Sequence, residues 1–188
     1  MMRIRLAREG DAQGIAYVHT ESWKTTYRGI VPDDVLDHLT TESRLSQWEQ
    51  QLQSSEKDQI LIVAEDQDGK IVGFACGGKE REALPYDGEL YAIYLLHSYQ
   101  KSGIGRQLVK QVVHHLKTCQ MRSMIIWALE QNPACRFYEK LGGIPVDTKW
   151  VRVGNIDLAE VAYGWSDLTS FHHSLVQMIG ILSKSEPH

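Results

Sequence analysis

Residues 94–106 read Tyr94-Leu95-Leu96-His97-Ser98-Tyr99-Gln100-Lys101-Ser102-Gly103-Ile104-Gly105-Arg106. An apolar strand over Glu89–Leu96 runs into a loop with two glycines and then directly into the strongest amphipathic segment of the chain. That segment, Gly103–Cys119, carries Ile104, Leu108, Val109, Val112, Val113 and Leu116 at helical spacing. The first turn of a helix leaves its N–H groups without internal partners, and the helix dipole adds about half a positive charge there. Gly103 and Gly105 clear side chains from the approach, and Lys101 and Arg106 bracket it with full charges. A diphosphate is the ligand that best uses several convergent N–H donors and two cations. The competing reading is a plain tight turn between strand and helix. The nucleotide patterns G-x-x-x-x-G-K-[ST] and G-x-G-x-x-G are absent, since position 108 is Leu.

Outward from this loop, the pattern alternates. Ile4–Leu6 reads as a short strand, and Glu9-Gly10-Asp11 opens a helix to about His19. Trp23, Tyr27, Gly29 and Pro32 then suggest an aromatic-rich loop, with Pro32 in the first turn of a helix over Asp33–Leu39. Thr40 or Thr41 can cap a polar helix to about Leu52, although Arg44 three residues after Thr41 gives that threonine no capping box. Ile60–Ala64 and Ile71–Cys76 form a hairpin about Asp68-Gly69. Met124–Leu129 is a buried strand, Pro133–Leu141 a short helix stopped at Gly142-Gly143, and Val146–Val153 with Ile156–Trp165 a final hairpin. Helices followed by β-β-β-α-β-α-β-β predict an α/β or α+β sheet, not a bundle or sandwich. Ser170–Lys184 reads as a closing helix of unassigned role.

The composition narrows the function classes. The 188 residues, 43% of them hydrophobic, suffice for one core. A net charge of −4 supplies no global positive field for nucleic acid or an anionic membrane. Three separated cysteines, Cys76, Cys119 and Cys135, make neither a disulfide framework nor a C-x-x-C zinc pair. Cys135 is read as lying on the helix side away from Ala134, Phe137 and Tyr138. The adjacent pairs His114-His115 and His172-His173 give no metal pattern, and there is no H-E-x-x-H or G-x-S-x-G. No apolar run of membrane-spanning length occurs, and the N-terminus lacks a signal-peptide core. The expectation is a reduced, soluble, cytoplasmic protein without nucleic-acid, membrane or metal partners.

Gln100-Lys101-Ser102-Gly103-Ile104-Gly105 resembles the Q/R-x-x-G-x-G/A signature of the GCN5-related N-acetyltransferase (GNAT) family, which grips the pyrophosphate of acetyl-CoA. Asn132-Pro133-Ala134-Cys135-Arg136-Phe137-Tyr138-Glu139-Lys140-Leu141-Gly142-Gly143 is similar to that family's N-x-x-A/S-x-x-x-Y-E-K-x-G-F stretch, and Glu160–Trp165 resembles its last strand. Two departures stand out: Gly143 where the family often has Phe, and His97-Ser98 near a position that is often Pro. The resemblance implies a mixed, mostly antiparallel sheet of six to seven strands flanked by helices, with residues 1–168 as the acetyltransferase domain and 169–188 as a helical or polar extension. It implies acetyl transfer from acetyl-CoA to an amine, on a small molecule such as a polyamine or amino compound or on a protein. A homodimer is common in the family. An acyl-CoA-binding module without turnover is the alternative, and a nucleotide-binding enzyme with a divergent phosphate loop is a third reading.

The resemblance also distributes roles. Gln100, Lys101, Ser102, Gly103, Ile104, Gly105 and Arg106 would hold the diphosphate. Ile93, Tyr94 and Leu95 would lie where the sheet splays, their free backbone groups binding the pantetheine arm and one N–H stabilising the oxyanion, even if their side chains are core. Tyr138 would protonate the leaving thiolate; without the motif it reads as part of an apolar helical stripe. Asn132 is either a cap or a cap that also bonds the cofactor. Glu89 is a base for the amine or a solvated strand end. Trp23 and Tyr27 would hold a cationic amine against their faces, or only pin the loop.

Overall fold

The computed structural model describes residues 2–54 and 56–171. Its elements are β1 (Arg3–Leu6), α1 (Ala12–Thr26), α2 (Asp33–Asp37), α3 (Thr41–Gln53), β2 (Ile60–Glu65), β3 (Ile71–Lys79), β4 (Gly88–Leu95), α4 (Ile104–Thr118), β5 (Met124–Leu129), α5 (Cys135–Lys140), β6 (Ile144–Val153) and β7 (Ile156–Trp165). A 3-10 turn precedes α1 and another joins β4 to the glycine loop. Seven strands form one sheet in the order β1-β2-β3-β4-β5-β7-β6. Every pairing is antiparallel except that of β4 with β5. This is the mixed, mostly antiparallel sheet expected from the sequence. The proposed closing helix falls mainly on residues outside those described.

The six periodic apolar residues of α4 are all buried against one face of the sheet, where they meet Ile62, Val72, Ala75, Leu90, Met124 and Ile126. The helix can come this close because position 77 lacks a side chain: a Cβ there would lie 2.7 Å from Val112 Cγ1. On the other face, Ile15 and Ala16 of α1 and Trp48 of α3 pack on Val63 and Phe74. The loop and short helix after α1 contribute Tyr27, Val31 and Leu36 to a third cluster with Leu129 and Leu158.

Several element boundaries differ from the sequence reading, among them those of the first three helices. Helix α1 continues past His19 to Thr26, so Trp23 is helical and Tyr27 is the cap, not loop residues. No glycine or proline interrupts that stretch, and its continuation carries Trp23 to the Tyr94 hydroxyl, with Tyr27 N–H closing the last turn on Trp23 O. The chain breaks only near Gly29, at φ +82°. Pro32 precedes α2 as its cap, and that helix stops at Asp37. Thr40, with Ser43 in the role usually given to Glu or Gln, forms a reciprocal capping box for α3.

The departure at Gly143 has a packing cause. Helix α5 ends in a Schellman motif, with Gly142 at φ +86°, Gly143 N–H donating to Tyr138 O and Gly142 N–H to Glu139 O. The Trp165 indole lies over this end and donates to Leu141 O at 2.9 Å. A Cβ at position 143 would stand 2.7 Å from its ring. The indole thus takes the space an aromatic side chain at 143 would need. Gly143→Ala is expected to cost about 1–3 kcal/mol by overpacking, read as a lower urea midpoint with unchanged slope.

Candidate active site

The site begins where a parallel pairing stops. Strands β4 and β5 share only Gly88↔Met124 and Glu89↔Ile125, and then diverge, β5 continuing alongside β7. The first three residues of β4 are buried and the next five only half-buried, although the strand is central. The ladder with β3 skips Tyr91, a bulge that turns the outer half of β4 away from β5. Leu96 N–H donates to Val72 O on the β3 side, so the alternate residues Leu95 and Ile93 direct their N–H and C=O groups into the opening. Their side chains meanwhile pack on the α4 core. At both positions a packed side chain coexists with backbone groups that β3 does not engage, whereas the backbone of Tyr94, in step with Leu96, faces β3 and is not free as the sequence reading expects.

Beyond β4, the chain makes its 3-10 turn and reaches Lys101 at φ +60° and Gly103 at φ +86°. Gly103 is the cap of α4 and is left-handed, followed by right-handed Ile104, a combination that makes successive N–H groups converge. Gln107 N–H already donates to Gly103 O, so the N–H groups before it are those the helix leaves over. Gln100 Nε2 donates to Leu95 O at 3.2 Å, tying the loop to the strand edge, and Ser102 Oγ donates to Tyr99 O. Among the described residues, neither Lys101 nor Arg106 has a carboxylate partner. Space above Gly103 is open, whereas a Cβ at Gly105 would touch the Phe137 ring at 3.5 Å. The two sequence signatures therefore meet at Gly105 and Phe137. These features fit a diphosphate: donors, cations and an unobstructed approach.

Helix α5 packs in the same core cluster as α4, with Cys135, Tyr138 and Leu141 buried. Tyr138 is 4% exposed, and its hydroxyl makes no hydrogen bond among the described residues. Burial pushes this phenol well above its ordinary range, with Tyr94 and Cys135 adding to the effect. Tyr94 is raised in the same direction by burial, and its hydroxyl accepts from Trp23 Nε1 at 2.9 Å. Tyr27 is raised mainly by burial, with Tyr94 and Tyr138 contributing, and its hydroxyl accepts from Asn132 Nδ2 at 3.1 Å. Asn132 Oδ1 in turn accepts from Ala134 N–H at 2.9 Å, fixing the turn into α5. One cluster therefore joins α1, β4 and α5, and it contains Trp23, Tyr27, Tyr94, Asn132 and Tyr138.

Glu89 stands apart from that cluster. It is neither solvated nor at a frayed end, for it is 4% exposed and Arg81 donates to both its oxygens, at 2.6 and 3.0 Å. Arg81 also lies 3.9 Å from the centre of the Tyr91 ring. The pair closes the end of the opening where β4 and β5 still pair. Cys135 differs too: it is buried on the same face as Tyr138, three residues away, with its thiol donating to Leu129 O at 3.4 Å.

The acetyltransferase (GNAT) family model matches residues 17–143. The chain belongs to the GNAT family of acetyltransferases. The uncharacterized N-acetyltransferase YuaI of Bacillus subtilis is 37% identical over 171 residues, covering 90% of this chain and 96% of the relative. The PaiA N-acetyltransferase of Thermoplasma acidophilum, solved in complex with coenzyme A, superposes with a TM-score of 0.65 at 22% identity, covering 88% of this chain and 99% of that one. The protein yncA of Salmonella typhimurium, solved with its cofactor acetyl-CoA, gives 0.65 at 22% identity, covering 89% and 94%. Acetyl-CoA is the acyl donor of this family. Among the described residues, no helix is long and apolar enough to cross a membrane, and no group of three or more His, Cys, Asp and Glu could hold a metal ion.

Two residues packed beside Tyr94 and Trp23 gave no signal in the sequence reading. His19 is buried, stacks on Tyr94 with ring centres 4.9 Å apart, and accepts from Trp48 Nε1 at Nδ1 over 3.2 Å. Burial, then nearby Arg44, pushes its pKa down to about 3. Arg44 is half-buried beside Trp23. The unfolded chain takes up the His19 proton below about pH 6.5, whereas the folded chain does so only near 3. Stability therefore falls as pH falls through that window, by up to about 1.4 kcal/mol per unit. Urea unfolding at pH 7.5 and 5 should show this loss, and the difference should shrink by about 2 kcal/mol in His19→Phe.

Proposed function

We propose that the protein transfers the acetyl group of acetyl-CoA to a primary amine by direct attack, using residues 1–168 as the acetyltransferase unit. The observation that carries this reading is the divergence of β4 from β5 beyond Glu89, directly before a glycine loop that opens α4 at left-handed Gly103 and is tied to the strand edge by Gln100. The free edge at Ile93 and Leu95 suits the amide-bearing pantetheine arm, and the Gln100–Arg106 loop suits the diphosphate. Tyr94 would line the gap beside them.

The chain's own groups then have the following work. The Leu95 or Ile93 N–H donates to the oxygen that gains charge as the amine attacks. The Tyr138 hydroxyl, held protonated by burial, donates to the departing sulfur. Its lack of a competing partner supports this role. Asn132 sets the turn that presents Tyr138 and positions Tyr27, and one N–H of its amide is left for the cofactor. Glu89 lies on the opposite side of β4 from Leu90, which packs under α4, and therefore shares a face with Tyr94. Because Arg81 engages both its oxygens, it would receive the amine proton through water, not by contact. Trp23 and Tyr27 wall the acceptor side.

Tyr138→Phe keeps the ring and removes the proton. It should lower kcat about 100-fold or more while leaving acetyl-CoA affinity unchanged. CoA release from acetyl-CoA and an amine panel is the readout, and an unaltered kcat would remove Tyr138 from this role. Gly105→Leu should abolish tight acetyl-CoA binding in calorimetry, since a side chain there grows against the Phe137 ring and must push the two signatures apart.

A further inference from the structure

We propose that the acceptor carries an anionic group, a carboxylate, and that Arg44 of α3 binds it; this rests on the acetyl-transfer reading above and names the class of amine. Three arginines of the described residues are half-buried: Arg5, Arg44 and Arg106. Arg5 is satisfied by Asp11 and Glu65. Arg106 belongs to the loop that suits a diphosphate. Arg44 has neither a carboxylate partner nor a hydrogen bond among the described residues. It is the one half-buried guanidinium whose five donors are left without a stated use.

Its surroundings make an anion the fitting partner. The guanidinium lies 5.5 Å from the centre of the Trp23 ring, and Trp23 in turn bonds the Tyr94 hydroxyl. His19, stacked on Tyr94, is held neutral by burial and by Arg44 itself, so it offers no competing charge. Partial burial costs the cation solvation, which an ion pair in an aromatic wall would offset. A guanidinium presents a planar fork that matches a carboxylate bidentately, and this one has no bond that would draw its donors elsewhere among the described residues. The same arrangement disfavours polyamines: the Trp23 face already holds a cation, so a second positive centre there meets a like charge. An amino acid, with its amine toward Tyr138 and its carboxylate toward α3, satisfies both ends of the cluster.

The test uses matched acceptors: leucine with 3-methylbutylamine, phenylalanine with phenethylamine, and 4-aminobutyrate with butylamine, each assayed by CoA release. For at least one pair the carboxylate member should show a kcat/KM about 10- to 100-fold higher. Arg44→Met should remove that preference through KM, with kcat and acetyl-CoA affinity retained, and Arg44→Lys should restore part of it. Thermal melting and acetyl-CoA binding verify that each variant folds, and Arg44→Gln serves if Arg44→Met does not. Equal turnover within every pair, or an equal loss for both members in Arg44→Met, overturns the proposal while leaving acetyl transfer standing. If no acceptor releases CoA although acetyl-CoA binds, acetyl transfer fails instead. Calorimetry of the three amino acids with the CoA-bound protein then decides Arg44: binding lost in Arg44→Met supports it, and binding unaffected or absent in the wild type overturns it.

Discussion

Strands β4 and β5 meet over two residues and then part, so a central strand of a seven-stranded sheet runs on with one edge unfilled. Unpaired backbone groups inside a fold are costly, and the chain keeps them accessible by holding the gap open from several sides. The bulge at Tyr91 redirects β4, the Arg81–Glu89 pair closes the paired end, and α4 supports the strand from beneath. The gap is thus a stable consequence of ordinary packing.

The second organising feature is the set of hydroxyl and aromatic groups that crosses this gap. Trp23 and Tyr27 come from the end of α1, Tyr94 from β4, and Asn132 and Tyr138 from the turn into α5. Burial raises all three phenols, so each remains a proton donor at neutral pH. Within that set Tyr138 keeps an uncommitted hydroxyl, while Asn132 is engaged in shaping the turn. The cluster also couples both sheet faces, because α1 and α3 lie on one side and α4 and α5 on the other.

How far the sequence discloses this depends on range. The α4 periodicity, the Asp68-Gly69 hairpin and the β5 strand are local patterns, and each element lies where its own residues put it. The two signatures likewise mark the strand edge, the loop and Tyr138. What was hidden is long-range. The extension of α1 through Trp23 is accompanied by a bond from Trp23 to Tyr94, 71 residues away, which a run of polar residues does not announce. Glu89 reads as a solvated strand end or a base, and only the structure shows its burial and its Arg81 partner across a loop. Cys135 looks remote from Tyr138 only until the three-residue spacing is placed on an actual helix. His19 and Arg44 are single residues without a motif, and only packing brings them beside Tyr94 and Trp23.

Amide hydrogen exchange with and without acetyl-CoA tests the central claim most directly, because it reads backbone N–H groups one segment at a time. The account predicts strong new protection at Ile93 and Leu95 and across Gly103–Arg106, with little change in β1 and β2. Protection confined to other segments, with the β4 edge and the first turn of α4 exchanging as before, would contradict it.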